Sequence, residues 1–167
     1  MQKNTIFTTE DIWEILSQIP DPEIPVITIS ELGVLREVEL LNDTFIISIT
    51  PTYSGCPAMK VFEDDIRNKL KQEKISNFEI KTIYSPPWTT DWIDEKALIK
   101  LKEFGIAPPV KGSEDKGTLF SSRPKTVSCP QCNSKNTVLV SQFGSTACKA
   151  HYKCKDCLEP FDYFKCI

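Results

Sequence analysis

The amino-acid sequence predicts an α+β protein in which a small mixed sheet with packed helices is followed by a small, cysteine-rich β domain. Two observations support this prediction. Before residue 109, three segments repeat apolar residues at helical spacing and are separated by β-branched, strand-like segments. Six of the seven cysteines stand at or after residue 129, in a segment whose apolar runs are strand-like.

Length and composition are those of a soluble globular protein with one ordinary domain and one small domain. The chain has 167 residues, of which 40% are hydrophobic and 26% are charged. We predict an α+β domain over residues 5–109 and a β domain over residues 126–167. Residues 110–125 are rich in Gly, Ser, Lys and acidic residues, which is typical of a linker.

Charge and hydropathy limit the function classes. The formal net charge is -3, which argues against a general attraction to nucleic acid or to acidic membranes. No apolar run approaches the length of a membrane span, and the first residues lack the long apolar core of a signal peptide. We therefore expect a cytoplasmic protein with no membrane partner.

The first predicted element is a helix over residues 8–19. A capping hydroxyl at Thr8 precedes acidic residues, and Pro20 ends the apolar repeat. Two more prolines within the next five residues forbid a regular helix, so we expect a stiff, extended loop that presents Asp21 and Glu23. The simpler interpretation is that these two carboxylates belong to a solvated turn.

A β-hairpin, a helix and a further strand follow the loop. A tight turn at Asn42-Asp43 separates two β-branched segments, which predicts an antiparallel pair. The place of the third strand beside this pair is not set by the sequence. The predicted bounds are 34–41 and 44–50 for the hairpin strands, 57–74 for the helix and 78–84 for the third strand.

An aromatic loop stiffened by prolines precedes the last helix of the first domain. Trp88 lies between prolines and threonines, and we predict that it forms part of a functional surface, whereas Trp92 packs in the core. Asp91 is the predicted cap of a helix that ends at Gly105, where a left-handed residue is expected.

Cys56 stands in the segment Thr50–Ala58, between the second strand and the second helix. Gly55 allows the backbone to turn, and Pro57 suits a first helical position. At or near a helix N-cap, unpaired amides and the helix dipole favour an anion, so the thiol is expected to ionise readily and to bind metal or attack a substrate. The alternative is that Cys56 is a small buried apolar residue.

Two Cys-x-x-Cys knuckles give the strongest functional signal. Cys129 and Cys132 form the first, Cys154 and Cys157 form the second, and 21 residues separate them. Four thiolates at this spacing are typical of a structural zinc ribbon, and a segment of 42 residues needs such a metal for stability. Iron in a rubredoxin-like site is the competing occupant, and disulfides are disfavoured in the cytosol.

Two cysteines remain outside the knuckles. We predict that Cys148 and Cys166 lie close together on neighbouring strands without joining the zinc shell. Either both are small packing residues or they form a secondary thiol pair for a labile metal or a redox event. His151, the single histidine, is a poor candidate ligand because four cysteines already fill the shell.

These motifs resemble two known families. The first domain resembles the small iron–sulfur assembly domain of SufT proteins and of the eukaryotic cytosolic iron–sulfur targeting machinery, and the second resembles the C-terminal part of PaaD-type phenylacetate-degradation proteins. The matching segments of the first domain are Asp21–Pro25, Glu31–Gly33, Thr50–Ala58 and Ser85–Trp88. Those of the second are Phe143–Ala150, the two knuckles and Glu159–Cys166. Together the two resemblances cover nearly the whole chain except the linker.

The resemblance implies a non-catalytic accessory subunit of the phenylacetyl-CoA epoxidase system. Its implied role is to assist iron–sulfur or iron cofactor assembly in the oxygenase or its reductase, which would be its partners; a homodimer is left open. The reactive cysteine of the family corresponds to Cys56 and its acidic motif to Asp21 and Glu23. The implied cofactors are a structural zinc ion and transiently held iron or an iron–sulfur cluster.

The residues themselves agree with an accessory role. A carboxylate-bridged di-iron site needs two Glu-x-x-His motifs, and one histidine cannot supply them. No dinucleotide-binding glycine motif or P-loop is present, so the chain is neither the oxygenase nor a complete reductase.

Three alternatives remain open. The first is a nucleic-acid-binding ribbon, which is disfavoured because the ribbon has five lysines, no arginine and three acidic residues. The second is a thiol enzyme that uses Cys56, although a cysteine nucleophile usually needs a neighbouring base and the single histidine lies in the ribbon. The third is a rubredoxin-like electron carrier.

Overall fold

The computed structural model describes residues 7–109 and 126–165 and separates into two compact units. Unit 1 runs to Trp88 and unit 2 begins at Thr89. Both units combine helix with sheet, so the predicted α+β class is confirmed. None of the helices in the described ranges combines the length and the hydropathy that a membrane span requires.

Unit 1 is a three-stranded mixed sheet with two helices. Its elements are α1 (Thr9–Leu16), β1 (Leu35–Leu41), β2 (Thr44–Ile49), α2 (Ala58–Gln72) and β3 (Phe78–Thr82). The strand order is β1-β2-β3; β1 pairs antiparallel with β2, and β2 pairs parallel with β3. A parallel pair requires a crossover, and α2 provides it. This settles the strand order that the sequence left open.

The β1–β2 hairpin closes through the predicted turn. Asn42 and Asp43 both have positive φ, 49° and 60°, and the register places Leu41 opposite Thr44. Two left-handed residues in a two-residue loop define a type I′ turn, which matches the twist of the flanking strands. Asn and Asp tolerate this conformation better than most residues, so the local sequence is sufficient to set the hairpin.

α1 begins as predicted and ends early. Thr8 Oγ1 accepts a hydrogen bond from the Asp11 amide at 3.2 Å, and the Thr8 amide donates to Asp11 Oδ2 at 2.8 Å, which completes a capping box. The helix was expected to reach Ile19 but ends at Leu16. At the next position the Ser17 hydroxyl donates to the Glu14 carbonyl at 2.8 Å, a local bond that competes with continued helix.

α2 buries the apolar stripe that its sequence indicates. Its four buried residues recur every four positions: Ala58, Phe62, Ile66 and Leu70. The helix is preceded by Pro57 at the N-cap and ends at Gln72, with Lys74 in a left-handed conformation beyond it. Because α2 starts directly after the Cys56 loop, the packing of this stripe fixes the end of that loop.

Unit 2 is a four-stranded sheet preceded by helical segments. It contains a 3₁₀ turn (Thr90–Trp92), α3 (Glu95–Glu103), β4 (Ile106–Ala107), β5 (Thr137–Ser141), β6 (Lys149–Cys154) and β7 (Pro160–Phe164). The strand order is β4-β7-β6-β5, with β4 parallel to β7 and the remaining pairs antiparallel. Its buried cluster is built from Ala107, Val127, Cys129, Ala150, Tyr152, Cys154, Phe161 and Tyr163.

The cap of α3 differs from the prediction. Asp91 was expected to cap it, but Asp94 does so, because its Oδ1 accepts from the Lys96 amide at 2.7 Å. Ile93 is extended, with φ -70° and ψ 128°, and separates the 3₁₀ turn from the helix. Gly105 follows α3 with φ 91°, the left-handed residue that was predicted there.

The division between the units falls before the predicted boundary at residue 109. Ile106 and Ala107 pair with β7, and α3 packs against β4, so residues after Trp88 associate with the ribbon sheet. The predicted linker, residues 110–125, lies outside the described residues. The division into independently folding domains at residues 5–109 and 126–167 therefore stays a prediction.

The buried stripe of α2 gives a stability prediction. Ile66 is fully buried, so Ile66→Ala should lower the free energy of unfolding of unit 1 by about 2–5 kcal/mol through lost burial and a residual cavity. Val61 on the same helix is 41% exposed, so Val61→Ala should cost roughly 0.5 kcal/mol or less. Urea denaturation followed by helical circular dichroism measures both, and equal losses would contradict the assigned packing.

Candidate metal centre and thiol site

Four cysteine sulfurs converge at one point of unit 2. The Sγ atoms of Cys129, Cys132, Cys154 and Cys157 all lie within 4.8 Å of one another. Cys129 and Cys157 sulfurs are 3.7 Å apart, and those of Cys132 and Cys154 are 3.6 Å apart. The structure thus brings together the four residues that the knuckle spacing indicated.

The separations fit a tetrahedral metal shell. A zinc–sulfur bond of about 2.3 Å places tetrahedral sulfurs about 3.8 Å apart, close to the two shortest separations here. No nitrogen or oxygen ligand belongs to this cluster in the described part of the chain. The donor set is therefore four soft thiolates, which suits zinc or iron.

The two knuckles share one backbone design. The residue after the second cysteine is left-handed in both, with φ 60° at Asn133 and φ 66° at Leu158. The first cysteine of each also donates its amide to a carbonyl five residues on: Cys129 to Ser134 and Cys154 to Glu159, both at 2.9 Å. Each knuckle is thus a closed turn that aims both sulfurs to one side.

The electrostatics of the cluster favour a bound cation. Backbone hydrogen bonds from Cys157 and Asp156 lower the pKa of the Cys154 thiol to about 7. A backbone hydrogen bond from Glu159 favours the Cys157 thiolate, but desolvation and the three other sulfurs raise the pKa of that thiol to about 12. Four thiolates at this distance cannot all stay ionised alone, so a metal cation is needed to balance their charge.

Cys56 lies one position before the N-cap of α2, in a turn of its own. Gly55 has φ 81°, the Cys56 amide donates to the Tyr53 carbonyl at 3.2 Å, and the Cys56 carbonyl accepts from the Met59 amide at 3.3 Å. The side chain is half-buried. This places a single accessible sulfur at the start of a helix, as the sequence indicated, although the cap itself is Pro57.

The ionisation of Cys56 differs from the prediction. Burial raises the pKa of the Cys56 thiol, and the negative charge of Glu23 raises it further. Hydrogen bonds from the Ala58 backbone and the Thr52 hydroxyl act in the opposite direction but are outweighed. The expectation of easy ionisation was wrong because desolvation exceeds the effect of the helix N-terminus. The raised pKa favours the protonated form of the Cys56 thiol.

The acidic loop reaches Cys56 through one of its two carboxylates. Glu23 is half-buried, and its charge acts on the Cys56 thiol. Asp21 is instead buried, at 6% exposure, and its Oδ1 accepts from the amides of Glu23 at 2.8 Å and Ile24 at 2.7 Å. The loop was expected to present both acids; Asp21 folds the loop and Glu23 is presented.

Trp88 is buried, which corrects the expectation that it contributes to a surface. Only 4% of the residue is exposed, and its indole Nε1 donates to the Leu32 carbonyl at 2.9 Å. An aromatic residue between prolines indicates a rigid loop, but the side chain can pack inward as well as outward. Here it packs inward and joins its loop to the turn that carries Leu32.

The remaining predicted thiol pair is only partly described. Cys148 is buried at 7% exposure, and its sulfur lies 3.1 Å from Thr146 Oγ1. Cys166 lies outside the described residues, so its pairing with Cys148 stays a prediction. His151 is not in the four-cysteine cluster; its Nδ1 lies 3.1 Å from Asp162 Oδ1.

Sequence reasoning missed Thr52. This residue is 9% exposed, and its hydroxyl forms a hydrogen bond with Cys56. A hydroxyl residue four positions before a cysteine, in a loop tightened by Gly55, is the signal that would have identified it. Thr52 thus belongs to the immediate surroundings of the thiol, together with Glu23 and the Ala58 amide.

The charge of Glu23 predicts how the thiol reacts. Glu23→Gln removes one cause of the raised pKa, so more Cys56 is ionised at pH 7.5 and alkylation by iodoacetamide is faster. The increase should stay below about tenfold, the change that one full pKa unit gives, because burial remains the largest cause. Mass spectrometry of the Cys56 peptide measures the rate.

Glu37→Gln is the matched control for this prediction. Glu37 is an exposed carboxylate on β1 and is not among the groups that shift the Cys56 pKa, so its substitution should leave the rate unchanged. An unchanged or slower rate in Glu23→Gln would show that this carboxylate does not act on the thiol.

Family models match both parts of the chain. Residues 9–76 match the model described as iron-sulfur cluster assembly protein. Residues 113–165 match the model described as PaaD zinc beta ribbon domain. The first match includes Cys56 and Glu23, and the second includes all four cysteines of the metal centre.

Individual proteins extend these matches. An Escherichia coli (strain K12) protein named as a subunit of 1,2-phenylacetyl-CoA epoxidase is 47% identical over 94% of this chain and 92% of its own length. An Fe-S protein maturation auxiliary factor of Porphyromonas gingivalis (strain ATCC BAA-308 / W83) is 32% identical over 60% of this chain and 97% of its own.

A solved structure agrees with the fold of the first part. The domain of unknown function DUF59 from Bacillus anthracis is 25% identical, with a TM-score of 0.52 over 56% of this chain and 90% of that one. The relative that matches along nearly the whole length combines both parts. The chain therefore belongs to the PaaD family of proteins, in which a SufT-like iron–sulfur assembly domain precedes a zinc ribbon.

Proposed function

We propose that this chain is a non-catalytic accessory subunit of a phenylacetyl-CoA epoxidase system in phenylacetate degradation. It assists the assembly of an iron–sulfur or iron cofactor in the oxygenase or its reductase, which are its partners. The observation that carries this proposal is the pairing, in one chain, of an assembly-type domain that presents Cys56 beside Glu23 with a separate four-cysteine centre.

The relatives supply the two halves of the proposal. The relative that matches almost the full length carries the name of an epoxidase subunit. Three relatives that match 48–60% of this chain are named Fe-S protein maturation auxiliary factors. A maturation function specialised for one oxygenase system accounts for both sets of names.

The Cys56 site is suited to brief rather than permanent contact with a metal cargo. A thiol and a carboxylate offer one soft and one hard ligand, too few to enclose an iron ion or a cluster. Because the pKa of Cys56 is raised, binding the cargo requires loss of the thiol proton near neutral pH, which weakens retention. Weak retention is what transfer to a client protein needs.

The four residues that the sequence predicted for this function have two different roles. Cys56 and Glu23 contact the cargo, whereas Asp21 and Trp88 act from buried positions by shaping the loops around them. Reduced thiols are required at both sites, which fits a reducing compartment such as the cytoplasm.

The four-cysteine centre holds zinc in a structural role. Four cysteine sulfurs that lie within 4.8 Å of one another would fill the shell of a tetrahedral ion, and a closed thiolate shell is typical of structural zinc. The zinc would hold the knuckles of a small sheet whose buried cluster includes two of its ligands, Cys129 and Cys154. Iron remains the competing occupant, and elemental analysis separates the two.

The zinc assignment predicts the metal content of the purified protein. Wild-type protein should contain about one zinc per chain by elemental analysis, and Cys129→Ser/Cys154→Ser should contain almost none, because each knuckle loses a thiolate. Cys148→Ala, which removes a buried cysteine outside the cluster, should keep its zinc. Stoichiometric iron in the wild type, or full retention in the double variant, would contradict the assignment.

The maturation proposal predicts the effect of removing Cys56. In cells that carry Cys56→Ala, the oxygenase and reductase polypeptides should accumulate normally but contain much less iron and have little activity. The variant itself should fold, because a half-buried sulfur contributes little to the core. Iron analysis and activity of both purified clients measure the effect.

Ser54→Ala provides the matched control, since Ser54 is exposed in the same loop and its loss should leave both clients loaded. If oxygenase and reductase arrive fully loaded and active in the Cys56→Ala cells, the maturation proposal is wrong, and a structural role in the epoxidase complex becomes the better explanation.

A further inference from the structure

Side chains that follow the first knuckle bind a carboxylate inside the second. Asp156 stands between Cys154 and Cys157, and its Oδ2 accepts a hydrogen bond from Ser134 Oγ. Its Oδ1 accepts from Asn136 Nδ2 at 2.7 Å. Both oxygens of this carboxylate thus accept hydrogen bonds from residues that follow the other knuckle.

The backbone reinforces the same connection. The Asn136 amide donates to Ser134 Oγ at 3.0 Å, which orients the hydroxyl toward Asp156. The Lys155 amide donates to the Asn136 carbonyl at 2.8 Å. We call Ser134, Asn136 and Asp156 the clasp. It joins the two knuckles through hydrogen bonds that do not involve the cysteine sulfurs.

Two members of the clasp, Ser134 and Asp156, also form backbone hydrogen bonds with cysteine sulfurs. The Ser134 backbone forms a hydrogen bond with the Cys132 sulfur, and the Asp156 backbone forms one with the Cys154 sulfur. These two sulfurs are 3.6 Å apart. Ser134 and Asp156, whose side chains bond to each other, thus also each supply a peptide N–H to a sulfur, one on each knuckle.

We propose that the clasp is a positioning device for the four-thiolate centre, in which the Ser134–Asp156 bond holds two amides on the sulfurs of Cys132 and Cys154 and slows metal release. The inference rests on the metal occupancy proposed above. Hydrogen bonds to metal-bound thiolates stabilise their negative charge, and partners outside the ligand shell commonly change metal affinity by about 10–100-fold. Asp156 acts through the ligands and does not touch the metal.

The clasp residues are too exposed to contribute much to the hydrophobic core, so an effect of their loss on metal release can be distinguished from an effect on core packing. Asn136 and Asp156 are exposed and Ser134 is half-buried, so their loss removes little buried apolar surface. The buried cluster of unit 2 contains none of the three. Removing the clasp should therefore change how tightly the metal is held more than how the sheet is packed.

Zinc release to excess EDTA from the full-length, zinc-loaded protein tests the proposal. Asp156→Ala should release zinc about tenfold faster than the wild type. Asp156→Asn keeps the size of the side chain and one acceptor oxygen, so its rate of zinc release should lie between those of the wild type and Asp156→Ala. Asp162→Ala is the matched control: Asp162 contacts His151 on the same sheet, and its removal should leave the rate unchanged. Equal rates in Asp156→Ala and Asp162→Ala would overturn the proposal.

A double substitution tests whether the members act as one unit. If Ser134 acts only through Asp156, Ser134→Ala/Asp156→Ala should release zinc no faster than Asp156→Ala alone. Ser141 is the last residue of β5, and its hydroxyl donates to the Phe143 carbonyl. Ser141→Ala therefore serves as the control for Ser134→Ala. If the increase in the zinc-release rate of the double variant equals the product of the increases in the two single variants, the proposal that Ser134 and Asp156 act as one unit is contradicted.

Cobalt provides a readout that a purely structural role would not change. In Co²⁺-loaded protein, weakening the amide hydrogen bonds raises the energy of the sulfur lone pairs, so the sulfur-to-cobalt charge-transfer band should shift to lower energy in Asp156→Ala. An unshifted band would overturn the proposal even if zinc leaves faster. Wild-type protein that binds neither metal would instead refute the proposed occupancy, and the inference with it.

Discussion

The convergence of four thiols at one point is the constraint on which unit 2 depends. Sulfurs within 4.8 Å of one another repel when they ionise, and a divalent cation removes that repulsion. The surrounding sheet is small, and two of its buried residues, Cys129 and Cys154, are themselves members of the cluster. Because the core and the ligand shell share residues, the packing of Tyr152, Phe161 and Tyr163 is tied to the coordination of the metal.

The chain uses cysteine in two opposite ways. In the ribbon, four sulfurs form a closed shell in which turns and amides hold the thiolates. In unit 1, Cys56 is single and half-buried, and its pKa is raised by burial and by Glu23. The closed shell is suited to permanent retention, whereas the open thiol is suited to reversible contact. This contrast is the physical basis for proposing a structural role for the ribbon site and a transfer role for Cys56.

Local signals predicted much of the fold, and packing decided the rest. The capping box at Thr8, the left-handed turn at Asn42-Asp43 and the apolar stripe of α2 depend on neighbouring residues, so the sequence reveals them. The inward position of Trp88 and the raised pKa of Cys56 depend on what covers each side chain, which no local pattern specifies. The knuckle ligands were predictable because the Cys-x-x-Cys spacing itself dictates their geometry, whereas Asp156 and its partners meet only across the folded ribbon.

A tetrahedral, all-sulfur metal site is what we expect to hold the ribbon together. X-ray absorption at the zinc edge of the purified wild-type protein measures the ligands of that site. A closed thiolate site should give a single shell of four sulfurs at about 2.3 Å with no nitrogen or oxygen neighbour. A shell that contains nitrogen or oxygen, or fewer than four sulfurs, would show that the four cysteines do not enclose the metal, and the structural role assigned to the ribbon centre would be wrong.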